Sequence, residues 1–143
     1  MSVYQISVFL ENRAGQLAEI ATDLAGRGVD LRAISIAEAS DYGVLRLIVD
    51  DTAKATAVLQ DHDYVYSMTP VVVVSCADAP GGLAPVLSAL AEAHIDIEYM
   101  YSLFTHQEGK AYMVFRTSDE KKFLEQLAAH GMTPATKEEL GLQ

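Results

Sequence analysis

Few side chains in this sequence could carry covalent or acid–base chemistry. Cys76 is the only cysteine, which excludes an internal disulfide framework and a multi-cysteine metal site. It ends the apolar run Val71-Val72-Val73-Val74-Ser75-Cys76 and reads as a buried strand residue rather than a nucleophile. His62, His94, His106 and His130 are scattered without the spacing of metal ligands. The acidic clusters Asp50-Asp51, Asp61/Asp63 and Glu138-Glu139 fall at turns and ends and read as solvated charge. No nucleophile–base pair and no cofactor-binding glycine fingerprint is visible, so neither intrinsic catalysis nor a cofactor is expected. Two glycine loops do recur: Asn12-Arg13-Ala14-Gly15-Gln16-Leu17 and Asp78-Ala79-Pro80-Gly81-Gly82-Leu83.

The elements that hold these loops repeat. A shift of 66 residues lays Gly15 on Gly81, Leu17 on Leu83, Leu24 on Leu90, Asp30 on Asp96, Gly43 on Gly109, Val49 on Phe115 and Thr52 on Ser118 without a gap. Each copy opens with a β-forming run, Val3 to Leu10 or Val71 to Cys76. Apolar residues then recur at i, i+3, i+4 and i+7 (Leu17, Ile20, Ala21, Leu24; Leu83, Val86, Leu87, Leu90), one face of a helix. Pro85 falls in the first turn of the second helix, where a missing N–H costs little. Strands follow from Val29 and Ile95, turns at Tyr42-Gly43 and Glu108-Gly109, and returning strands at Val44–Val49 and Lys110–Phe115. Thr52 and Ser118 are expected to cap second helices. Final strands are expected near Tyr64–Met68 and Met132–Ala135. Strand, helix, strand, strand, helix, strand, twice over, is an α+β chain of two ferredoxin-like βαββαβ modules, antiparallel sheets with helices on one face. The expected modules are residues 1–69 and 70–143, meeting at Thr69-Pro70.

Bulk properties narrow the partners. The chain has 143 residues, half of them apolar, and a formal net charge of −10. An acidic surface repels phosphate backbones, so nucleic acid is not an expected partner. No apolar run approaches the ~20 residues of a membrane span, and no signal segment is visible at Met1-Ser2-Val3, so a cytoplasmic, membrane-free protein is expected. Strand Val71–Val74 is apolar on both faces, and Ile48, Tyr112 and Val114 also alternate with core positions. Helices cover only one face, so a homodimer is expected to cover the other.

Fold alone does not choose among ferredoxin-like functions. A metal-carrying version needs a cysteine pair in the first loop. An acylphosphatase-like version needs an arginine in a phosphate-cradling loop, and the second loop has none. An RNA-recognition version needs exposed aromatic residues in a basic context. What remains is the loop pattern: acid or amide, any residue, alanine or proline, glycine, any residue, leucine, followed about fourteen residues later by Val29-Asp30-Leu31 and Ile95-Asp96-Ile97. This pattern resembles the ACT domain, the amino-acid-sensing regulatory module, and the chain is similar to small stand-alone tandem-ACT proteins. Ala14 departs from the usual proline.

The resemblance implies a free amino acid as ligand. It also implies pairing of the modules through the strands around Val29–Glu38 and Ile95–Phe104, with the site at that junction, between a glycine loop of one module and the edge strand of its neighbour. A helix N-terminus supplies N–H groups and a favourable dipole for a carboxylate. Gly15, Gly81 and Gly82 let a ligand approach the backbone. Asn12 or Asp78 would contact the ammonium. Arg13, Ala14, Gln16 and Pro80 complete the loops, and Leu17, Leu83, Ile34, Met100 and Tyr99 or Tyr101 are candidates for the side-chain pocket. Capping or turn roles for Asn12 and Asp78, core packing for Leu17 and Leu83, and strand packing for Tyr99–Tyr101 are the structural alternatives. A second functional expectation is a regulatory subunit of an amino-acid biosynthetic enzyme, of the acetolactate synthase small-subunit type, with that enzyme as partner.

Overall fold

In a computed structural model, residues 2–11, 13–38, 41–105 and 107–143 are described; Asn12 and His106 lie outside them. The element order is β1 (Val3–Glu11), α1 (Gln16–Gly26), β2 (Leu31–Glu38), β3 (Tyr42–Val49), α2 (Thr52–Asp61), β4 (Val65–Ala77), α3 (Ala84–Glu92), β5 (Ile97–Ser102), β6 (Lys110–Thr117), α4 (Glu120–Ala129) and α5 (Lys137–Leu140). Two compact units form. The first is Tyr4–Thr69 with Gly141–Gln143, and the second is Pro70–Leu140 with Met1–Val3. The last strand of the first copy and the first strand of the second are one uninterrupted strand, β4. Pro70 sits inside it without breaking it.

In the first unit the strand order is β2-β3-β1-β4, with β3 antiparallel to both β1 and β2. Alternation along the strands aims Ile6, Val8, Leu10, Leu45, Leu47 and Val49 at Ile20 and Leu24 of α1 and Val58 and Leu59 of α2. In the second unit β6 is antiparallel to β4 and β5. There Val72, Val74 and Phe115 meet Val86 and Leu90 of α3 and Phe123 and Leu127 of α4, and Phe115 and Phe123 pack edge to face at 5.5 Å. The expected strand at Met132–Ala135 is reduced to a single bridge between Val74 and Pro134.

The strand registers correct the gapless repeat. Leu31 pairs with Val49, and Ile97 pairs with Thr117. Ile97 stands 66 residues after Leu31, but Thr117 stands 68 after Val49. Two extra residues therefore enter the second copy between β5 and β6. The counterpart of Gly43 is Ala111, not Gly109, and that of Val49 is Thr117, not Phe115. The expected caps move with the frame. Asp51 and Asp119 cap α2 and α4, their carboxylates accepting from the N–H groups of Lys54 and Lys122 at 3.1 and 3.0 Å. Ser118 instead ties the strand ends together, its Oγ accepting from Asp96 N–H at 3.1 Å. Asp50 does the same for Asp30 N–H at 2.9 Å.

The face of the second unit's sheet turned away from α3 and α4 also finds its cover within the chain. Val71, Val73, Tyr112 and Val114 are 3, 1, 1 and 0% exposed. Ala135 N–H donates to Val73 C=O at 2.7 Å, and the chain then turns into α5. Leu140 is buried there, and Glu139 accepts from the Tyr112 hydroxyl at 2.9 Å. Ile48 of the first unit is buried as well. The expectation that a second protomer must cover this face loses its premise, because these residues are already buried within the chain.

Candidate functional site

The first glycine loop is built by a backbone reversal. Arg13 N–H donates to Glu11 C=O at 2.8 Å, and Gly15 adopts φ +88° at the N-cap of α1, a left-handed conformation that favours glycine. No side chain caps this helix, so its first-turn N–H groups have no side-chain acceptor. Arg13 folds back on Glu19, with Nη2 donating at 3.1 Å and Nη1 at 3.3 Å. These hydrogen bonds raise the guanidinium further and lower the Glu19 carboxyl from their ordinary values. The pair is exposed and mutually neutralised. Gln16, at the first position of α1, is 8% exposed, and its Oε1 is enclosed without a hydrogen-bond partner.

A cavity of about 260 Å³ opens beside this loop, lined by Leu10, Glu11, Arg13, Ala14, Gln16, Leu17, Gly43 and Ile36 of edge strand β2. Leu17 is 37% and Ile36 58% exposed, so Leu17 is not the core residue that the alternative reading makes it. Ile34, the expected strand contributor, packs on the core instead. Ile36 takes its place; it lies on the same strand face, two residues further along. A wider groove of about 630 Å³ runs along Ala18, Thr22 and Asp23 of α1 to His62, Asp63 and Tyr64. Burial and then the charges of Glu19 and Asp23 push the Tyr64 phenol up. This groove is larger but open to solvent, which screens its carboxylates.

The second loop is assembled differently. Gly81 has φ +79°, and a Cβ on Gly82 would stand 1.8 Å from the Ala77 carbonyl oxygen. Gly82 N–H donates to Ala79 C=O at 2.9 Å. Asp78 does not cap α3, which begins at Ala84 with Leu83 at its N-cap; its backbone N–H donates to Gly109 C=O at 3.0 Å. The cavity here, about 450 Å³, is lined by Cys76, Pro80, Gly81, Gly82 and Met132, among others. Leu83 and Met100 pack on the second core. Tyr101 pairs with Val114, whereas Met100 pairs with Phe115 of the helix-side core. Tyr101 therefore faces the other side of the sheet, where it stacks on Tyr99 at 6.4 Å, and it cannot share a pocket with Met100. Burial, then Asp78, pushes the Cys76 thiol up, which keeps it protonated and a poor nucleophile.

Among the described residues no group of histidine, cysteine and carboxylate side chains could hold a metal ion. No helix is long and apolar enough to cross a membrane.

The comparisons with known proteins agree with this fold. The family model "ACT domain pair" matches residues 1–140. The chain superimposes on the crystal structure of protein BT0572 from Bacteroides thetaiotaomicron with a TM-score of 0.89 and 38% identity, covering 99% of this chain and 96% of that one. It is also similar in fold to the ligand-free regulatory subunit of aspartate kinase from Thermus thermophilus, at TM-score 0.63 and 17% identity over 88% of this chain and 90% of that one. The regulatory subunit of aspartate kinase from Thermus flavus gives 0.58 and 16%, over 90% and 92%. No curated protein matches. Matched by the family model over nearly its full length, and by BT0572 at 38% identity, the chain belongs to the ACT-domain-pair family of ligand-binding regulatory domains.

Proposed function

We propose that the protein is an amino-acid sensor whose first unit binds the effector between the Gly15 loop and β2. One observation carries this reading: a cavity that joins an uncapped helix N-terminus to two exposed aliphatic side chains, Leu17 and Ile36. The ligand carboxylate takes the free N–H groups of α1. The enclosed Gln16 carboxamide, which lacks a partner for Oε1, accepts from the ammonium. Leu10, Leu17 and Ile36 take the side chain. Pairing of two copies through the exposed edge of β2 belongs to the same proposal, because Ile36 on an unpaired strand edge invites strand addition.

A thermal-shift screen of the common amino acids tests it, since a ligand bound only by the folded state adds RT ln(1 + [L]/Kd), about 2.7 kcal/mol at 100 Kd. At least one amino acid should raise Tm, and Leu17→Asp and Ile36→Asp should each abolish that rise. No rise with any amino acid at millimolar concentration, or a rise that survives in both variants, would defeat the reading. The regulatory-subunit alternative differs in its partner: it requires the protein to co-purify with a catalytic subunit and to change that enzyme's response to the amino acid.

A further inference from the structure

We propose that the second unit carries a separate binding site, sharing no residue with either glycine loop, for a small aliphatic molecule that bears one ammonium and one carboxylate. The site exists because the last strand of this unit is incomplete. Pro134 bridges Val74 but has no N–H with which to extend a ladder, and after one further bond from Ala135 N–H to Val73 C=O the chain leaves for α5. A cavity of about 260 Å³ remains beside Val71–Val73, walled by Val3 and by Leu124 of α4. That volume is just under the ~300–1,000 Å³ of drug-sized clefts and suits a molecule of amino-acid size.

The lining is apolar within, and its rim carries charges of both signs. Val3, Val71, Val72 and Val73 are nearly inaccessible, while Leu124 is 37% exposed at the mouth. Glu120 from the start of α4 and Lys137 and Glu138 from α5 line the same cavity. Lys137 and Glu120 are half-buried, yet the side chains of all three make no ion pair or hydrogen bond with any described residue, including each other. A ligand that brings both opposite charges at once gives each of these groups a charge-assisted partner. Its carboxylate meets Lys137, its ammonium meets Glu120 or Glu138, and its aliphatic body covers Leu124 and the valines.

The site is independent of the one proposed at the Gly15 loop, and the experiment separates them. The full-length ¹⁵N-labelled protein is titrated with L-leucine and followed by heteronuclear NMR. Amide shifts are expected at Val71–Val73, Leu124 and Ala135–Glu138. Leu124→Trp, which fills the mouth from a partly exposed position, and Lys137→Gln, which removes only the charge, should each weaken these shifts at least tenfold, while Leu17→Asp leaves them unchanged. Two probes test the charges: 4-methylpentanoate lacks the ammonium and isopentylamine lacks the carboxylate, and each should bind at least tenfold more weakly than L-leucine. The proposal is overturned if no shifts appear at these residues up to 10 mM, roughly the weak limit of small-molecule recognition on the affinity scale. It is also overturned if both variants bind as the parent does, or if either single-charge probe matches L-leucine. Shifts confined to residues 13–17 and Ile36 would overturn this site and support the other.

Discussion

The two glycine loops share one glycine and differ in the residue that follows it. At Gly15 and at its counterpart Gly81 an added Cβ would meet nothing within 4 Å, whereas at Gly82, which stands where the first loop has Gln16, it would meet backbone at 1.8 Å. The first loop leaves a cavity toward Ile36. The second folds Gly82 onto Ala77 and Ala79, so this extra glycine serves the loop's own packing, and the cavity there opens toward Cys76 and Met132. Ala14 stands where the second loop has Pro80. A motif repeated in register thus specifies a turn in both copies, and only the surrounding contacts decide which side chains line the space beside it.

Substituting the glycines puts this contrast to its strongest test. Gly82→Ala drives a methyl group into a carbonyl that is itself backbone and cannot rotate away, so we expect a loss of about 3 kcal/mol or more. Gly15→Ala meets open space and is penalised only through its φ of +88°, at about 1–2 kcal/mol. Midpoints of urea unfolding for the two variants decide it. Equal losses would mean that Gly82 is not locked by its own loop, and the distinction drawn between the loops would fail.

The same dependence on context explains what could be read before the structure was known. Element order as far as α4, the one-sided helices and the two cores follow from apolar periodicity, which acts locally, and these are present; the last strand of the second copy is not. The gapless alignment failed because Gly43 and Gly109 both mark the same hairpin, although two residues were added there; a glycine marks a turn without counting the residues in it. The α5 turn was missed because Lys137–Leu140 is too short to show a helical period, yet Leu140 is buried there and Glu139 bonds the Tyr112 hydroxyl. At the candidate site, Arg13, Ala14, Gln16 and Leu17, which the resemblance singled out, line the first-loop cavity, while Asn12 lies outside the described residues. Ile36 rather than Ile34 was not legible: both point to one face, and only tertiary register says how far along β2 the loop reaches.

The tail offers a second comparison between units. Tyr112 of β6 corresponds to Val44 of β3 once the two-residue insertion is counted, and only Tyr112 has a polar tip to anchor a covering segment. Its hydroxyl lies 2.5 Å from Gln107 Oε1 and 2.9 Å from Glu139 Oε2, two acceptors that share its one proton. Tyr112→Phe keeps the ring and frees two acceptors that can turn to water, so the loss at neutral pH should be about 0.5–1.5 kcal/mol. Burial first, and then Glu139, raise the phenol above its ordinary 10.0. For such a group the folded state holds its proton more tightly, so this stabilisation is complete below pH 10 and is lost as pH rises through the higher folded value. The difference between parent and Tyr112→Phe should accordingly shrink above pH 10, while Tyr64, also raised, keeps some alkaline sensitivity in both. Chemical denaturation across pH 8–11 reads this out, and a gap that widens with pH would show that the hydroxyl does not anchor the tail as a neutral donor.

The smallest expected effect concerns the turns that end the helices. Each unit closes its two helices with left-handed residues, and the two units place glycine differently. After the first helix, Gly28 has φ +73° where the second unit has His94 at +54°; after the second helix, Asp63 has φ +58° where the second unit has Gly131 at +71°. Left-handed backbone costs a non-glycine residue about 1–2 kcal/mol, and glycine returns about 0.5–1 kcal/mol of this through the extra freedom of the unfolded chain. His94 is exposed, so His94→Gly removes strain without losing packing and should stabilise by about 0.5 kcal/mol. Asp63→Gly should gain less, because aspartate tolerates this region better than histidine. Gly28→Ala should run the other way and lose about 1 kcal/mol. Unfolding midpoints measured side by side would show the ordering. A His94→Gly variant that is less stable than the parent would mean that the imidazole makes a contribution larger than the strain it carries, and the position would cease to be a mere turn.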